Sequence, residues 1–299
     1  MTFEQFKEEA AKRLGSQTKN KVIIGKVEKN NGAALEAVTI EKGDGSPSPV
    51  IYLEGFYREL KEGKALEEIV RQILQLGEMN PGDSLNWLAD NIPCFEAVRG
   101  KISYRLIHYE KNAGRLKGMP HRRFLDLAVV YQVVCIDSGF GVGAVLINWN
   151  HADAWGVTEE ELYRLAEENS PKLLPAEIGS VGDILRKMGM ECGFREEELK
   201  LPGGSGIPLY TLTNTQKYMG AACILYPDIV RRISDVLGCS LFILPSSVHE
   251  TLILPDNGMH TADALREMVC EVNQTQVAEE EILSYGVYWY EQGKGMQLV

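Results

Sequence analysis

The chain of 299 residues lacks most of the short signatures that announce a chemistry. No two of its five histidines fall in an HxxxH or HExxH frame, and none of its six cysteines forms a CxxC pair. That removes zincin-type hydrolases and finger-type zinc sites, whose ligands need fixed spacing. His249-Glu250 begins like a zincin motif, but Ile253 stands where the second histidine belongs. No metal and no cofactor is expected. No GxSxG nucleophile elbow occurs. Pro202-Gly-Gly-Ser-Gly206 is not followed by the Lys and Ser/Thr of a phosphate loop. Gly139, Gly141 and Gly143 lead into an apolar strand-like run, not into the helix that a dinucleotide fingerprint requires, and read as a hairpin turn. No stretch approaches the roughly 20 apolar residues that span a bilayer.

Positive charge is also scarce, since Lys and Arg number 31 against 42 Asp and Glu, a net charge of −11. A mean field of that sign repels nucleic acid and anionic membrane surfaces. No Lys or Arg occurs between Glu267 and Gln292, which leaves an acidic, aromatic tail.

What is present is a globular composition, 44% hydrophobic and 24% charged, enough for a sizeable core. The cysteines are scattered and several lie in apolar runs, so they read as reduced, buried thiols. The first fifteen residues form an amphipathic polar helix without the apolar centre of a signal peptide. Both features point to the cytoplasm.

Periodicity yields helices over residues 3–14, 55–60, 65–77, 158–169, 180–189, 227–237 and 261–272, with Asp83 or Ser84 capping one more before Pro93. Strands are expected at 21–27, 35–40, 50–53, 102–107, 125–136, 143–149, 209–212, 240–244, 248–254 and 285–290. Asn30-Asn31-Gly32 supplies the positive φ angles of a tight turn. Hairpins mixed with helices, without regular βαβ alternation, give an α+β fold with largely antiparallel sheets. Residues 189–206, with a glutamate run and a Gly-rich cluster, read as a connector between an N-terminal lobe (1–188) and a C-terminal lobe (207–299), or as a loop on one continuous domain.

Two regions could carry chemistry. The first is Met219–Pro255, a small-residue run, a helix and a hairpin, holding Ser246, Ser247, His249 and Glu250 among apolar residues. A nucleophile, a base and an orienting carboxylate are the ingredients of covalent hydrolysis. Strand alternation opposes that use, because it sends His249 and Glu250 to opposite faces and leaves Ser247 and His249 about 6–7 Å apart. The alternative is a hairpin corner built from Pro245 and the serines, with His249 capping a backbone group. The second region is 99–123, where Arg105, Arg115, Lys117, Arg122 and Arg123 stand among aromatic residues with only Glu110 to oppose them. Such a segment holds phosphates or stacks bases, or else neutralises the chain's own acidic helices.

Three stretches carry a family resemblance. They are Asn31-Gly32 to Phe56-Tyr57 with Pro49-Val50-Ile51-Tyr52-Leu53 inside it, Ala166-Glu167-Glu168-Asn169-Ser170-Pro171 with Leu174-Pro175, and Leu212-Thr213-Asn214 through Ile243-Leu244-Pro245-Ser246-Ser247-x-His249-Glu250. Together with Val272-Asn273-x-Thr275-Gln276-Val277 they span nearly the whole chain. The combination resembles an uncharacterised bacterial family, a domain of unknown function common in anaerobic gut Firmicutes. The resemblance implies a cytoplasmic protein without an established activity, and it carries over no catalytic residues.

The reading that results is a non-enzymatic protein that binds a partner or small ligand, with a site near the 243–254 hairpin. Its rivals are a hydrolase or transferase using Ser247 or Ser246 with His249, and anionic-ligand or nucleic-acid contact through residues 99–123.

Overall fold

Short alternating runs joined by tight turns pair mainly with their neighbours, and every strand register described is antiparallel. A computed structural model describes residues 1–43, 48–79, 82–137, 141–180 and 209–299. The fold is α+β with three sheets. The chain divides into two units, Met1–Ile92 with Cys135–Gly143, and Pro93–Val134 with Ala144–Val299. Residues 189–206, expected to be a connector, and all but Ser180 of the helix expected over 180–189 lie outside the described residues.

In the first unit, β1 (Lys21–Glu28), β2 (Ala34–Glu41) and β3 (Val50–Tyr52) form a sheet in that order. Asn31 and Gly32 turn the first hairpin with φ of 61° and 76°. Three helices cover the sheet: α1 (Phe3–Gln17), α2 (Leu53–Lys61) and α3 (Leu66–Glu78). Phe6, Ala10 and Leu14 form the buried stripe of α1, and Ile69, Val70 and Ile73 that of α3, against Val38 and Ile40. Each large side chain so buried contributes about 1.5–3 kcal/mol. Helix α4 (Gly82–Asn91) begins at Gly82, so Asp83 and Ser84 lie within its first turn and not at the capping position expected of them.

Two further sheets belong mainly to the second unit. In one, β4 (Ile102–His108), β6 (Leu127–Asp137) and β5 (His121–Phe124) lie in the order β4-β6-β5, and β7 (Gly141–Leu146) also pairs with β6. Short helices α5 (Phe95–Val98) and α6 (Ala113–Leu116) flank β4 in sequence. Alternation misses β5 because three of its four residues are His121, Arg122 and Arg123. The strand expected to reach Trp149 stops at Leu146, and α7 (Trp149–Trp155) replaces its end. A capping box makes the difference: the Asn148 side chain accepts from His151 N at 2.9 Å, and His151 Nδ1 accepts from Asn148 N at 3.3 Å. Helix α8 (Glu159–Leu173) starts from the Thr158 cap as expected but runs past Pro171. Its face of Leu162, Ala166 and Ser170 is fully buried, and Ser170 Oγ accepts from Tyr104 N on β4 at 3.2 Å. Packing there outweighs the local cost of proline.

The other sheet has six strands, ordered β13-β12-β10-β11-β9-β8. They are β8 (Ala176–Ser180), β9 (Tyr210–Asn214), β10 (Leu241–Ser247), β11 (Glu250–Pro255), β12 (Tyr288–Glu291) and β13 (Gly295–Leu298). A 3-10 helix, Gly220–Leu225, and α9 (Ile229–Leu237) connect β9 to β10. Helix α10 (Ala262–Thr275) lays Leu265 and Val269 on Phe242, Leu244 and Leu254. No described helix is long and apolar enough to cross a membrane.

Candidate functional site

Strand alternation places Ser103, Arg105 and Ile107 on one face of β4 and Tyr104 and Leu106 on the other. The register sets Gln132 opposite Ser103, and Val130 opposite both Arg105 and His121. The face is therefore partly polar although it is inside the fold. Ser103 and Gln132 are fully buried, and Gln132 Nε2 donates to Ser103 Oγ at 3.3 Å. The chain of polar contacts continues outward, because Tyr218 Oη donates to Gln132 Oε1 at 3.3 Å. The same hydroxyl faces the Arg105 guanidinium. Arg105 Nε is buried and has no hydrogen-bond partner. Burial pulls the Arg105 pKa below the ordinary arginine range; Tyr218 opposes this and the nearby Arg115 guanidinium adds to it. Burial likewise raises the Tyr218 pKa, with Arg105 working against it.

The loop that delivers Tyr218 is held in an unusual shape. Lys217 and Met219 have φ of 52° and 49°, a left-handed backbone that side chains other than Gly and Asn rarely adopt. Asn214, at the end of β9, holds the loop shut: its Oδ1 accepts from Gln216 N and Tyr218 N, and its Nδ2 donates to Tyr218 O at 2.7 Å. Gly220 follows in close contact, since a Cβ there would lie 2.2 Å from Thr213 Oγ1 and 2.5 Å from His249 O.

The closing hairpin abuts this loop. β10 continues through Ser247, and a register irregularity between Leu244 and Ser247 leaves Ser247 paired with Glu250. The turn is Val248-His249, so His249 is not the strand residue that alternation assumed, and Ser247 and Glu250 face one another across the hairpin. The corner is three residues beyond Pro245, because a bulge absorbs the proline's missing donor. Ser247 Oγ accepts from His249 N at 3.1 Å. His249 Nδ1 accepts from Met219 N at 3.4 Å, and Nε2 lies 3.8 Å from Glu281 Oε1. Thr213 Oγ1 donates to His249 O at 2.7 Å, and Val248 N donates to Glu281 O at 2.9 Å. Both ring nitrogens thus face groups other than Ser247. The side chain of Ser246 lies outside the described residues. Nearby Cys223 is no substitute nucleophile: its thiol is buried, points at Thr213 O at 3.1 Å, and is pushed up to about 12 by burial.

The basic segment separates into groups with different surroundings. Arg122 lies on the opposite face of the sheet from Arg105. It makes paired contacts of 2.9 and 3.0 Å to Glu159 and one of 2.7 Å to Glu160, and it stacks 3.7 Å from the Tyr163 ring centroid. Arg123 is exposed, 3.7 Å from Glu110 and 4.6 Å from the Tyr109 ring. Lys117 is exposed just after α6. Of these cations Arg115 is the one whose charge repels that of Arg105. Among the described residues no three His, Cys, Asp or Glu side chains gather to hold a metal ion.

Sequence reasoning missed Ser103, Gln132 and Tyr218. Gln132 carried a usable signal, a lone amide inside the apolar run Leu127–Ile136. Ser103 and Arg105 are two apart on an expected strand, which puts both on one face. Tyr218 had no signal, because its position depends on the fold of the Asn214 loop.

A family model described as a family of unknown function, DUF5688, matches residues 3–292. No curated protein and no solved structure matches the chain.

Proposed function

The chain belongs to the DUF5688 family of unknown function, and from its own geometry we propose that it is a cytoplasmic, non-enzymatic protein that binds a small ligand. The ligand sits at the polar row of β4 and β6 where the Asn214–Gly220 loop meets it, beside the 243–254 hairpin. The observation that carries this is the chain of polar contacts Ser103–Gln132–Tyr218 ending at the buried, unpartnered Nε of Arg105. Polar groups are costly to bury, and one left without a partner calls for a reason beyond stability. The left-handed Lys217 and Met219 point the same way, since backbone strain concentrates at ligand clamps. The five described cysteines are all free, as in a reducing compartment.

The hydrolase reading lacks comparable support. Ser247 is an acceptor for a backbone amide, and His249 turns its nitrogens to Met219 and Glu281. A thermal-shift screen of small polar metabolites tests the proposal, with Tyr218→Ala as control. Wild type is stabilised by at least one compound and the variant is not. Ester or amide turnover that disappears in His249→Ala would replace this reading with the hydrolytic one.

A further inference from the structure

Charge, more than shape, identifies what the polar row takes. The charge of Arg115 repels that of Arg105, and the side chain that Arg105 bonds is the neutral Tyr218 hydroxyl. Among the described residues neither arginine is ion-paired to a carboxylate. By contrast, Arg122 only one residue past His121 is matched by two glutamates. The fold thus supplies carboxylates to Arg122, and to Arg123 through Glu110, while Arg105 is given none among the described residues.

A buried cation without a counter-charge is unfavourable, and a second cation beside it makes it more so. The Nε edge of a guanidinium presents two parallel donors, the geometry that fits two oxygens of one oxyanion. Tyr218 stands beside it as a neutral group that adds no charge to repel an anion; its one proton goes to Gln132, which is bonded to Ser103, so the hydroxyl holds the guanidinium in place.

Building on the ligand-binding reading, we infer that Arg105, Arg115 and Tyr218 form a site for a tetrahedral oxyanion, a phosphate or sulfate group either free or carried on a small organic molecule. Two guanidinium charges complement a dianion better than a monocarboxylate, and Nε of Arg105 gains the acceptor that no protein atom supplies. The Nε of Arg105 is buried, out of reach of an extended polymer backbone, so a small ligand suits it better than nucleic acid.

Titration calorimetry of the full chain at fixed ionic strength tests this with inorganic phosphate, sulfate, acetate and chloride. Glycerol phosphate against glycerol then separates a carried phosphoryl group from a free ion. Phosphate and sulfate bind, and acetate and chloride do not. Arg105→Met weakens phosphate binding by about tenfold or more and Arg115→Gln by about threefold. Arg105→Lys, which keeps the charge and loses the fork, weakens it as well and serves if the methionine variant does not fold. Without phosphate, Arg105→Met melts no lower than wild type, because it removes a cation that nothing compensates. Acetate binding as tightly as phosphate, or unchanged phosphate affinity in both Arg105 variants, overturns the inference. A neutral compound that binds regardless of Arg105 but not in Tyr218→Ala overturns the oxyanion assignment and leaves the ligand-binding reading standing. No response to any anion or any metabolite removes both.

Discussion

Asp126 and Tyr288 meet at 2.6 Å, carboxylate to phenol, across 162 positions of sequence. The other carboxylate oxygen accepts from Ser284 Oγ at 2.5 Å, and Ser284 Oγ in turn accepts from Gly286 N at 2.8 Å. Asp126 sits in the β5–β6 turn, beside Leu125 with φ of 55°, so the contact ties the four-stranded sheet to β12 of the six-stranded one. Ser284 and Tyr288 are fully buried. Asp126→Ala therefore leaves two buried hydroxyls without their acceptor and costs about 2–4 kcal/mol. Tyr288→Phe removes a single bond and costs about 1–2 kcal/mol. Urea unfolding curves of the two variants check the order.

The same burial fixes how the protein responds to alkali. Tyr104, Tyr131, Tyr226 and Tyr288 are all held above the ordinary tyrosine value of 10.0, in each case first by burial. A raised native pKa means that above pH 10 the unfolded chain has released protons that the native chain keeps. Stability is thus fully present below pH 10 and falls as pH rises toward the native values. Tyrosinate absorbance should lag behind that of free tyrosine and then appear together with loss of tertiary structure. Smooth ionisation of all the tyrosines near pH 10 in a folded protein would contradict this.

Arg122 and Glu159 give the opposite, acid-side expectation. Burial raises the Glu159 pKa, but the hydrogen bonds from Arg122 and Tyr131 outweigh it and leave the carboxyl below its ordinary value of 4.5. The side chains are 31% and 24% exposed, so solvent screens the pair only in part. Glu159→Gln costs about 1–2 kcal/mol at neutral pH, through lost charge-assisted bonds. The ion pair's contribution is present above pH 4.5 and is lost as pH falls through the lowered native value. The stability gap between wild type and Glu159→Gln should therefore close in acid, measured by denaturation midpoints from pH 7 to pH 3.

How far the sequence could be read depended on where each signal resides. The β1–β2 turn was legible because Asn31-Gly32 meets a local φ requirement, and α8 was legible at its start because Thr158 caps Glu161 N at 3.3 Å. The end of α8 was not, because Tyr226 Oη binds Leu174 O at 2.8 Å and Ser170 packs on β4, contacts 52 and 66 positions away in sequence. In the candidate site, charge density pointed to Arg105 and Arg115 but could not part them from Arg122. That division follows from β5, a strand whose polar residues hid its alternation. Tyr218 depends on two left-handed residues that are neither Gly nor Asn, Lys217 and Met219. The hairpin was placed correctly while its corner was not, because the bulge after Leu244 moves the turn onto His249.

The tightest constraint on the site is Gly220, whose φ is unremarkable and whose lack of a side chain is not. Its Cα lies where Thr213, Asn214 and His249 converge, and an added methyl would stand 2.2 Å from Thr213 Oγ1, 2.5 Å from His249 O and 2.8 Å from Asn214 N. Two of these are backbone atoms that cannot turn aside, and Thr213 Oγ1 already donates to His249 O at 2.7 Å. Gly220→Ala must displace the loop from the hairpin, at a cost of about 2–4 kcal/mol. Shifting the loop also moves Tyr218, two residues earlier, away from Gln132 and Arg105. Ligand binding should therefore fail in Gly220→Ala even under conditions where the protein remains folded. His249→Ala, which removes contacts of 3.4 and 3.8 Å from a ring 38% exposed, should lower the melting temperature only slightly and leave binding in place. Parallel melting curves and ligand titrations of the two variants separate these outcomes, and equal losses of binding in both would mean that the His249 ring takes part in the site.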